Sequence, residues 1–270
     1  MTTWREEIAG ASASLAEVGC ESPRLDAELL LAHVLGVDRA QLVMRGGEDA
    51  GPDDRTRYLA LLTRRAKREP IAYILGRKDF RHLTLAVDPR VLIPRPETEL
   101  LVETGLTLPQ GVRVADIGTG SGAVALALKQ ERPDLDVVGV DISSGALSVA
   151  RMNAQRLSLE VEWLEGDLLG EIICDAVLAN LPYIAEDELL PPEVARYEPR
   201  RALLGGHDGL ELVRRLIEQA GRKPRIAMIA LEIGHTQAAA TAALVEEAGF
   251  GAVERLRDLA GHERVVVGRR

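Results

Sequence analysis

The sequence predicts an α/β fold, in which a doubly wound, mainly parallel sheet follows a small helical region. From Gly111 onward, short apolar runs alternate with helical stretches, and the first run leads into a glycine-rich turn. Two further apolar runs near the C-terminus are joined by a glycine turn. The first part of the chain carries instead the capping residues and apolar spacing of helices.

Three helices are predicted in the N-terminal region, beginning at Thr3, at Ser22-Pro23 and at about Asp54. Thr3 and Glu6 form a capping box. The second helix ends at Gly36, and the third runs to Lys67, before Pro70. The buried face of the second helix is expected to comprise Leu25, Leu29, Leu30, Val34 and Leu35.

An alternating pattern and a proline-rich segment connect the helices to the sheet. Leu83, Leu85 and Val87 alternate within residues 80–92, which predicts a hairpin. Pro94-Arg95-Pro96 then opens a helix. These signals place a helical domain at 1–75, a hairpin linker at 76–93 and the sheet domain at 94–270.

The sheet domain is expected to contain seven strands. Five apolar runs predict parallel strands: Val112–Ile117, Asp136–Asp141, Val161–Asp167, Asp175–Asn180 and Arg225–Ile233. A closing antiparallel hairpin is predicted from Ala252–Leu259 and Arg264–Arg269, joined by Gly261-His262.

Composition narrows the class of protein. Among 270 residues, 46% are hydrophobic and 28% charged, as in globular proteins, and no apolar run is long enough to span a membrane. The N-terminus is polar where a signal peptide would be basic and then apolar, so the cytoplasm is the expected location. Cys20 and Cys174 encode neither a disulfide framework nor a zinc site, and no metal is expected.

Charge is distributed unevenly along the chain. The net charge of -9 disfavours a protein that coats duplex DNA, because such binding depends on neutralising phosphates. One stretch, here called the basic segment, nevertheless contains Arg55, Arg57, Arg64, Arg65, Lys67, Arg68, Arg77, Lys78 and Arg81. It is either a solvated face or a docking patch for an acidic partner or an RNA, and we hypothesise that it docks a protein substrate.

A glycine-rich loop, Asp116-Ile117-Gly118-Thr119-Gly120-Ser121-Gly122, follows the first predicted strand. Glycines let the backbone approach a ligand, and the helix that follows offers unpaired N–H groups at its N-terminus. The pattern therefore predicts a nucleotide-cofactor site. Because Gly118, Gly120 and Ala123 also satisfy the tolerant dinucleotide fingerprint, NAD remains an alternative.

Three acidic residues at strand ends sharpen the cofactor prediction. Asp141 is placed to accept hydrogen bonds from ribose hydroxyls, and Asp167 to reach an adenine amino group. Asp116 puts negative charge beside the loop, which suits an ammonium and a sulfonium better than a pyrophosphate. The three together favour S-adenosylmethionine over a dinucleotide.

Asn180-Leu181-Pro182-Tyr183, here called the clamp, follows the fourth predicted strand. An NH2 group conjugated to a carbonyl or a ring is a poor nucleophile, so a catalyst must hold it. Asn180 Oδ1 is able to accept one N–H, and a main-chain carbonyl of Leu181 or Pro182 the other. Pro182 fixes the chain direction, and Tyr183 offers a flat face. The clamp predicts methyl transfer to a planar nitrogen, with Asn180, Pro182 and Tyr183 as catalytic residues.

These residues resemble the bacterial protein-(glutamine-N5) methyltransferases that modify peptide chain release factors. The resemblance covers essentially the whole chain. Besides the glycine loop, its motifs are Pro70–Gly76, Leu92–Glu99, Tyr197-Glu198-Pro199, Ala202-Leu203, Gly205-Gly206, Asp208-Gly209-Leu210 and Leu231–His235. The family usually has Asn-Pro-Pro-Tyr, whereas Leu181 stands at the second position of the clamp here.

The resemblance implies a seven-stranded class I methyltransferase sheet, S-adenosyl-L-methionine as the cofactor and S-adenosyl-L-homocysteine as the product. It implies that the acceptor is the glutamine of a Gly-Gly-Gln motif in class 1 release factors, with no nucleic acid, membrane or metal as partner. Cofactor contacts are implied for Gly118, Thr119, Gly120, Ser121, Gly122, Asp141, Asp167, Leu168 and Asn180. Contacts to the glutamine side chain are implied for Asn180, Leu181, Pro182 and Tyr183.

Two alternatives stay open at this point. The ribosomal RNA adenine dimethyltransferases also write the clamp as Asn-Leu-Pro-Tyr, so an adenine-N6 or other amino-group methyltransferase acting on RNA or DNA is the first, with the basic segment as its support. Those proteins normally have Glu where Asp116 stands. The second alternative is a non-catalytic nucleotide-binding protein or an NAD-dependent dehydrogenase. In either, the clamp residues would only form the turn that follows a strand.

Overall fold

The computed structural model describes residues 2–270, which divide into two compact units. The first, here called the helical unit, runs to Gly76 and includes Leu190–Tyr197. The second, the sheet unit, comprises Arg77–Leu189 and Glu198–Arg270. The chain therefore leaves the sheet unit after Leu189 and re-enters it at Glu198.

The helical unit is built around one apolar core. Its helices before Gly76 are α1 (Trp4–Glu17), α2 (Pro23–Leu35), α3 (Arg39–Arg45), α4 (Pro52–Ala66) and α5 (Ile71–Leu75). Trp4, Leu30 and Tyr58 are fully or almost fully buried in that core. The capping box of Thr3 and Glu6 is confirmed, while α3 and α5 were not predicted.

The predicted buried face of α2 is partly wrong. Leu30 and Val34 are buried, but Leu25 is exposed, and Asp26 and Ala27 occupy inner positions instead. The Asp26 carboxylate is held inside because Arg65 of α4 donates its Nε–H to Oδ2 at 2.7 Å. A buried ion pair has thus rotated the inner face away from the apolar repeat.

Most of the basic segment is neutralised by nearby acids. The ion pairs are Arg55 with Glu7, Arg57 with Asp54, Arg64 with Glu69, Arg65 with Asp26 and Glu193, Arg68 with Glu193, and Arg81 with Glu131. Within residues 2–270, Lys67, Arg77 and Lys78 are the members without an ion pair. The segment is therefore not a continuous positive surface.

The sheet unit begins with a hairpin of β1 (Arg77–Phe80) and β2 (Leu83–Ala86). Arg77 pairs with Ala86, so the hairpin begins and ends earlier than the predicted 80–92. Asn153 fixes it to the rest of the unit: Oδ1 accepts from the Ala86 N–H at 2.7 Å, and Nδ2 donates to the Ala86 and Ser121 carbonyls at 3.0 Å. One buried amide thus joins the hairpin to the glycine loop.

Seven strands form the main sheet, as predicted: β3 (Arg113–Ile117), β4 (Asp136–Asp141), β5 (Glu162–Glu165), β6 (Ala176–Ala179), β7 (Met228–Glu232), β8 (Ala252–Arg257) and β9 (Glu263–Arg269). Their order is β5-β4-β3-β6-β7-β9-β8. Only β9 runs antiparallel to its two neighbours, and the other pairs are parallel. β5 ends at Glu165, so Asp167 lies beyond the strand rather than at its last residue.

Five helices cover the two faces of this sheet: α6 (Glu99–Leu106), α7 (Ala123–Glu131), α8 (Ser144–Leu157), α10 (Glu211–Gly221) and α11 (Ala238–Glu247). The remaining helix, α9 (Pro192–Tyr197), belongs to the helical unit. Leu101 of α6 and Leu126 of α7 belong to one apolar core, whereas Val213 of α10 and Val245 of α11 belong to the other. The central strands β6 and β7 are almost continuous apolar runs because both of their faces are covered.

Within residues 2–270, no helix is long and apolar enough to cross a membrane. The same residues contain no group of three or more His, Cys, Asp or Glu side chains that could hold a metal ion. Cys20 and Cys174 are both buried free thiols.

Candidate active site

A cavity of about 380 Å³ lies at the carboxyl ends of β3, β4 and β6. The strand order reverses at β3, because β4 flanks it on one side and β6 on the other. Open α/β sheets bind ligands at such a reversal. The predicted site residues that line the cavity are Asp116, Gly118, Thr119, Gly120, Ser121, Asp141, Asp167, Leu168, Asn180, Leu181 and Pro182. Gly122 and Tyr183 do not belong to its lining.

The glycine loop is folded back onto β4. The N–H groups of Gly118 and Thr119 both donate to the Val140 carbonyl, at 2.8 and 2.9 Å. Gly118 and Gly120 have φ of +75° and +56°, a region that disfavours residues with a Cβ. The loop backbone is thereby held against the floor of the cavity.

Gly122 has a different role from the other two glycines. Its φ is +82°, and a Cβ there would come within 2.9 Å of Trp163 and 3.0 Å of Leu126. These neighbours are packing contacts at the start of α7. Gly122 thus lets the loop and helix pack closely.

Asp141 closes the loop from the β4 side. Its Oδ2 accepts the Gly120 N–H and its Oδ1 the Ser143 N–H, both at 2.9 Å. Burial raises the pKa of the Asp141 carboxyl, while these two donors and the charge of Arg201 lower it. Each oxygen keeps a lone pair for a further donor, which is what a ribose diol supplies.

Asp116 lies deeper, at 2% exposure, yet still lines the cavity. Its Oδ2 accepts from the Thr119 hydroxyl at 2.6 Å and from the Ala125 N–H at 3.1 Å. Burial raises the pKa of Asp116 to about 6, with a smaller upward contribution from Asp141. The carboxylate is therefore ionised at neutral pH and is a candidate partner for a cation in the cavity.

Asp167 and Leu168 form a turn at the cavity mouth. Leu168 has φ of +59°, unusual for a residue with a branched side chain, and such strain is often found at ligand sites. Asp167 is exposed, and its Oδ2 accepts from Arg215 of α10 at 2.5 Å. One carboxylate oxygen of the predicted adenine contact is thus already engaged by a side chain.

Asn180 follows β6 and is oriented by a hydroxyl. Its Nδ2 donates to Thr98 Oγ1 at 3.0 Å, and both residues line the cavity. Thr98 belongs to a 3-10 turn, Pro96–Thr98, that precedes α6. With Nδ2 engaged in this way, Oδ1 is the atom of the amide left to accept a hydrogen bond from a ligand.

Leu181 packs against the glycine loop. It is 4% exposed, and its Cδ2 lies 3.1 Å from the position a Cβ would take at Gly118. The apolar side chain therefore links the clamp to the loop. A proline at this position lacks the carbons to reach as far.

A second loop braces the rest of the clamp. The Pro182 carbonyl lies so close to Gly205 that no Cβ fits there. Gln237 Nε2 donates to the Tyr183 carbonyl at 2.9 Å, and its Oε1 accepts the Gly234 N–H at 2.9 Å. These contacts hold the clamp backbone without using a proline at position 181.

Tyr183 is placed beside the cavity rather than in its lining. Burial and, to a smaller extent, the charge of Glu232 raise the pKa of its phenol to about 12. The ring is neutral at physiological pH. Its side chain therefore offers an apolar surface.

Sequence reasoning missed several residues that line the cavity: Arg90, Thr98, Arg201, Leu212 and Arg215. Thr98 was inside the Leu92–Glu99 motif, which marked its segment but not its contact to Asn180. The others lie on elements that give no chemical signal in the sequence.

Comparison with known proteins gives two family matches in the chain. Residues 6–76 match the PrmC N-terminal domain, and residues 96–193 match the methyltransferase small domain. The solved hMettl16 catalytic domain in complex with a MAT2A 3'UTR hairpin is 18% identical, with a TM-score of 0.58 over 77% of this chain and 81% of that chain. That likeness shows a shared fold.

Full-length relatives are more similar. The Release factor glutamine methyltransferase of Mycolicibacterium smegmatis is 42% identical, over 100% of this chain and 99% of its own length. The protein of the same name from Neisseria gonorrhoeae is 44% identical, over 92% of this chain and 93% of its own. Both alignments include the helical region and the sheet together.

Proposed function

The chain belongs to the release factor glutamine methyltransferase family, and we propose that the cavity at β3, β4 and β6 is its active site. The enzyme transfers a methyl group to a glutamine side chain of peptide chain release factors. The observation that carries the site assignment is Asn180, whose amide lines the cavity with Nδ2 engaged and Oδ1 available. The proposed acceptor atom is N5 of the glutamine in a Gly-Gly-Gln motif of a class 1 release factor.

S-adenosylmethionine is the proposed cofactor. The Asp116 carboxylate lines the cavity beside the glycine loop, where it would repel a pyrophosphate but attract an ammonium and a sulfonium. In this proposal Asp141 holds the ribose hydroxyls, Asp116 faces the ammonium, and the turn at Asp167 and Leu168 borders the adenine. When bound, the cofactor supplies a methyl group attached to a positively charged sulfur.

The clamp holds the acceptor nitrogen. Asn180 Oδ1 accepts one N–H of the glutamine amide, and the Leu181 or Pro182 carbonyl accepts the other. Both acceptors would stabilise the positive charge that grows on the nitrogen as its new bond to the methyl carbon forms and the carbon–sulfur bond breaks, which leaves S-adenosylhomocysteine. The nitrogen would then release one proton to solvent. No general base is required of the chain, because an alkylated amide that carries an extra proton is a strong acid.

The helical unit is proposed to dock the release factor, with a functional division at 1–75, 76–93 and 94–270. Because most of the basic segment is ion-paired, the docking charge is assigned to Lys67, which has no ion pair within residues 2–270. Lys67→Glu should raise KM for the release factor and weaken its salt dependence. Arg57→Glu, at an exposed arginine of α4, is the control, and equal KM values for the two variants would show that Lys67 does not dock the release factor.

The cytoplasm is the proposed location. Support comes from the release factor substrate, which the enzyme must meet where translation takes place.

Labelled S-adenosylmethionine tests the function directly. The purified enzyme is incubated separately with a release factor and with ribosomal RNA, and each product is analysed by mass spectrometry. One methyl group on the Gly-Gly-Gln glutamine is expected. Label on the RNA alone would overturn the assignment in favour of a nucleic-acid amino-group methyltransferase.

A further inference from the structure

Two buried side chains, those of Thr98 and Glu232, lie next to Asn180 in the sheet unit. Thr98 is 4% exposed and accepts from Asn180 Nδ2 at 3.0 Å. Glu232, the last residue of β7, is 2% exposed. Since Ala179 pairs with Leu231 in the parallel ladder, Asn180 and Glu232 are the next residues along two adjacent strands.

Glu232 is a costly residue for this position. Its Oε2 is buried and has no hydrogen-bond partner within residues 2–270. The Thr98 hydroxyl lowers the pKa of this carboxyl against the larger upward effect of burial. A buried carboxyl with an unsatisfied oxygen destabilises a fold, so its presence calls for a functional reason.

The hydroxyl of Thr98 supplies a functional reason for a carboxyl buried at position 232. A threonine hydroxyl has one proton and two lone pairs. To accept from Asn180 Nδ2 with its lone pair, Thr98 must direct its own proton elsewhere, and Glu232, whose pKa the hydroxyl lowers, is the carboxylate available to accept it. The direction of hydrogen bonding then runs from Asn180 to Thr98 to Glu232.

We propose that Thr98 and Glu232 are positioning residues that fix the orientation of the Asn180 amide, so that Oδ1 and not Nδ2 faces the glutamine. This inference rests on the proposed role of Asn180. A flipped amide would present a donor to the N–H of the substrate, and the hydrogen bond that holds the nitrogen would be lost. The relay therefore acts on turnover and leaves the cofactor contacts on β3 and β4 untouched.

The ionisation state of Glu232 decides whether the relay holds. Burial raises the pKa of Glu232 to about 7, Thr98 lowers it, Glu97 raises it, and Arg264 and Arg95 lower it. The phenol of Tyr183 also faces this carboxyl but stays neutral in that range. A protonated Glu232 is a weaker acceptor and a competing donor, so Thr98 loses its charged acceptor as the pH falls through about 7, and the orientation of Asn180 is held less firmly.

Substitution at Thr98 tests the relay. Thr98→Val removes the hydroxyl at nearly constant volume. It should lower kcat for the release factor about 10- to 100-fold, the loss typical when a residue that orients an active-site group is removed. Thr98→Ser keeps the hydroxyl and should restore kcat to within about threefold of the wild type. The affinity for S-adenosylhomocysteine, measured by calorimetry, should stay unchanged in both. Thr98→Val with wild-type kcat would overturn the proposal.

Thr241 provides a matched control. It is a fully buried threonine of α11 whose Oγ1 has no partner within residues 2–270, and it does not line the cavity. Thr241→Val removes the same atoms and should leave kcat unchanged. An equal loss of kcat in Thr241→Val and Thr98→Val would show a general effect of altered packing and would also overturn the proposal.

Glu232→Gln tests the pH dependence. At saturating cofactor, kcat/KM of the wild type for the release factor should fall below about pH 7, and Glu232→Gln should remove that acid limb. An acid limb that is identical in both proteins excludes Glu232 from the relay. A wild type that leaves the release factor unmethylated refutes the proposed function, whereas an active wild type with an equally active Thr98→Val refutes only the positioning role.

Discussion

The two sides of the cavity are held in different ways. On the β3 and β4 side, backbone N–H groups of Gly120 and Ser143 fix the Asp141 carboxylate. On the β6 and β7 side, Asn180 depends on the hydroxyl of Thr98, 82 residues earlier in the chain. The first side is set by local chain geometry, whereas the second is set by the identity of distant side chains. Substitutions on the first side should therefore change cofactor affinity, and those on the second should change turnover.

Asn180→Ala should produce the largest effect on turnover and should separate turnover from cofactor affinity most clearly. Loss of Oδ1 removes the acceptor that holds the amide nitrogen, so kcat should fall by about 1,000-fold, or roughly 4 kcal/mol. Cofactor affinity should stay within about tenfold, roughly 1.4 kcal/mol, because Asp116 and Asp141 are intact. Single-turnover kinetics and calorimetry measure the two quantities. A variant with near-normal turnover contradicts the clamp mechanism.

Glu232→Gln should show that the buried carboxyl beside Asn180 lowers the free energy of unfolding of the protein. Burial raises the folded-state pKa of Glu232 to about 7, above its ordinary value of 4.5. Stability from this group is complete below the unfolded pKa and is lost as the pH rises through about 7. At pH 8 the variant should therefore be more stable than the wild type, by at most about 3 kcal/mol, and at pH 4.5 equally stable.

Urea unfolding at the two pH values measures that difference. Glu160→Gln is the control, because Glu160 is exposed and its substitution should leave stability unchanged at both. If Glu232→Gln gives no gain at pH 8, the carboxyl is not destabilising, and the contrast between the two sides loses its energetic basis.

Asp116 provides a smaller, pH-dependent effect on the first side. Burial raises its pKa to about 6, and the ionised form is the one that attracts the cofactor ammonium. Cofactor affinity should therefore be constant above pH 7 and weaken as the pH falls through 6, by up to about tenfold per unit. Calorimetric titration at pH 5, 6 and 8 tests this. Asp116→Asn should bind weakly at every pH, and a wild type that binds equally at all three would exclude Asp116 from the cation site.

The sequence predicted the first side well because its signals are local. A parallel strand covered on both faces is a short apolar run, and β4 matches its predicted bounds residue for residue. The carboxyl ends of such strands meet at one edge, which placed Asp116 and Asp141 in one site before any contact was known. The glycine loop added the backbone shape.

The sequence failed where long-range side-chain pairs decide the structure. Leu25 was expected on the buried face of α2. Asp26 is buried instead, because its carboxylate pairs with Arg65, which lies 39 residues after Asp26. Arg65 also contacts Glu193 at a separation of 128 residues, so the basic segment could not be recognised as paired. The contact of Thr98 with Asn180 was missed for the same reason. Local patterns carry no information about which distant polar group satisfies a buried one.

Arg215→Ala should have the smallest effect on cofactor affinity. It tests whether the ion pair at the cavity mouth belongs to the cofactor side of the cavity. The Arg215 and Asp167 side chains are 48% and 51% exposed, and exposed ion pairs contribute about 0–1 kcal/mol. Loss of Arg215 frees Asp167 Oδ2 at the cavity mouth, so cofactor affinity should change by about threefold or less and kcat should stay constant. Asp167→Asn, which keeps the side-chain shape, is the companion variant. A change above tenfold in Arg215→Ala would show that this ion pair closes over the cofactor, and that side chains as well as backbone build the first side.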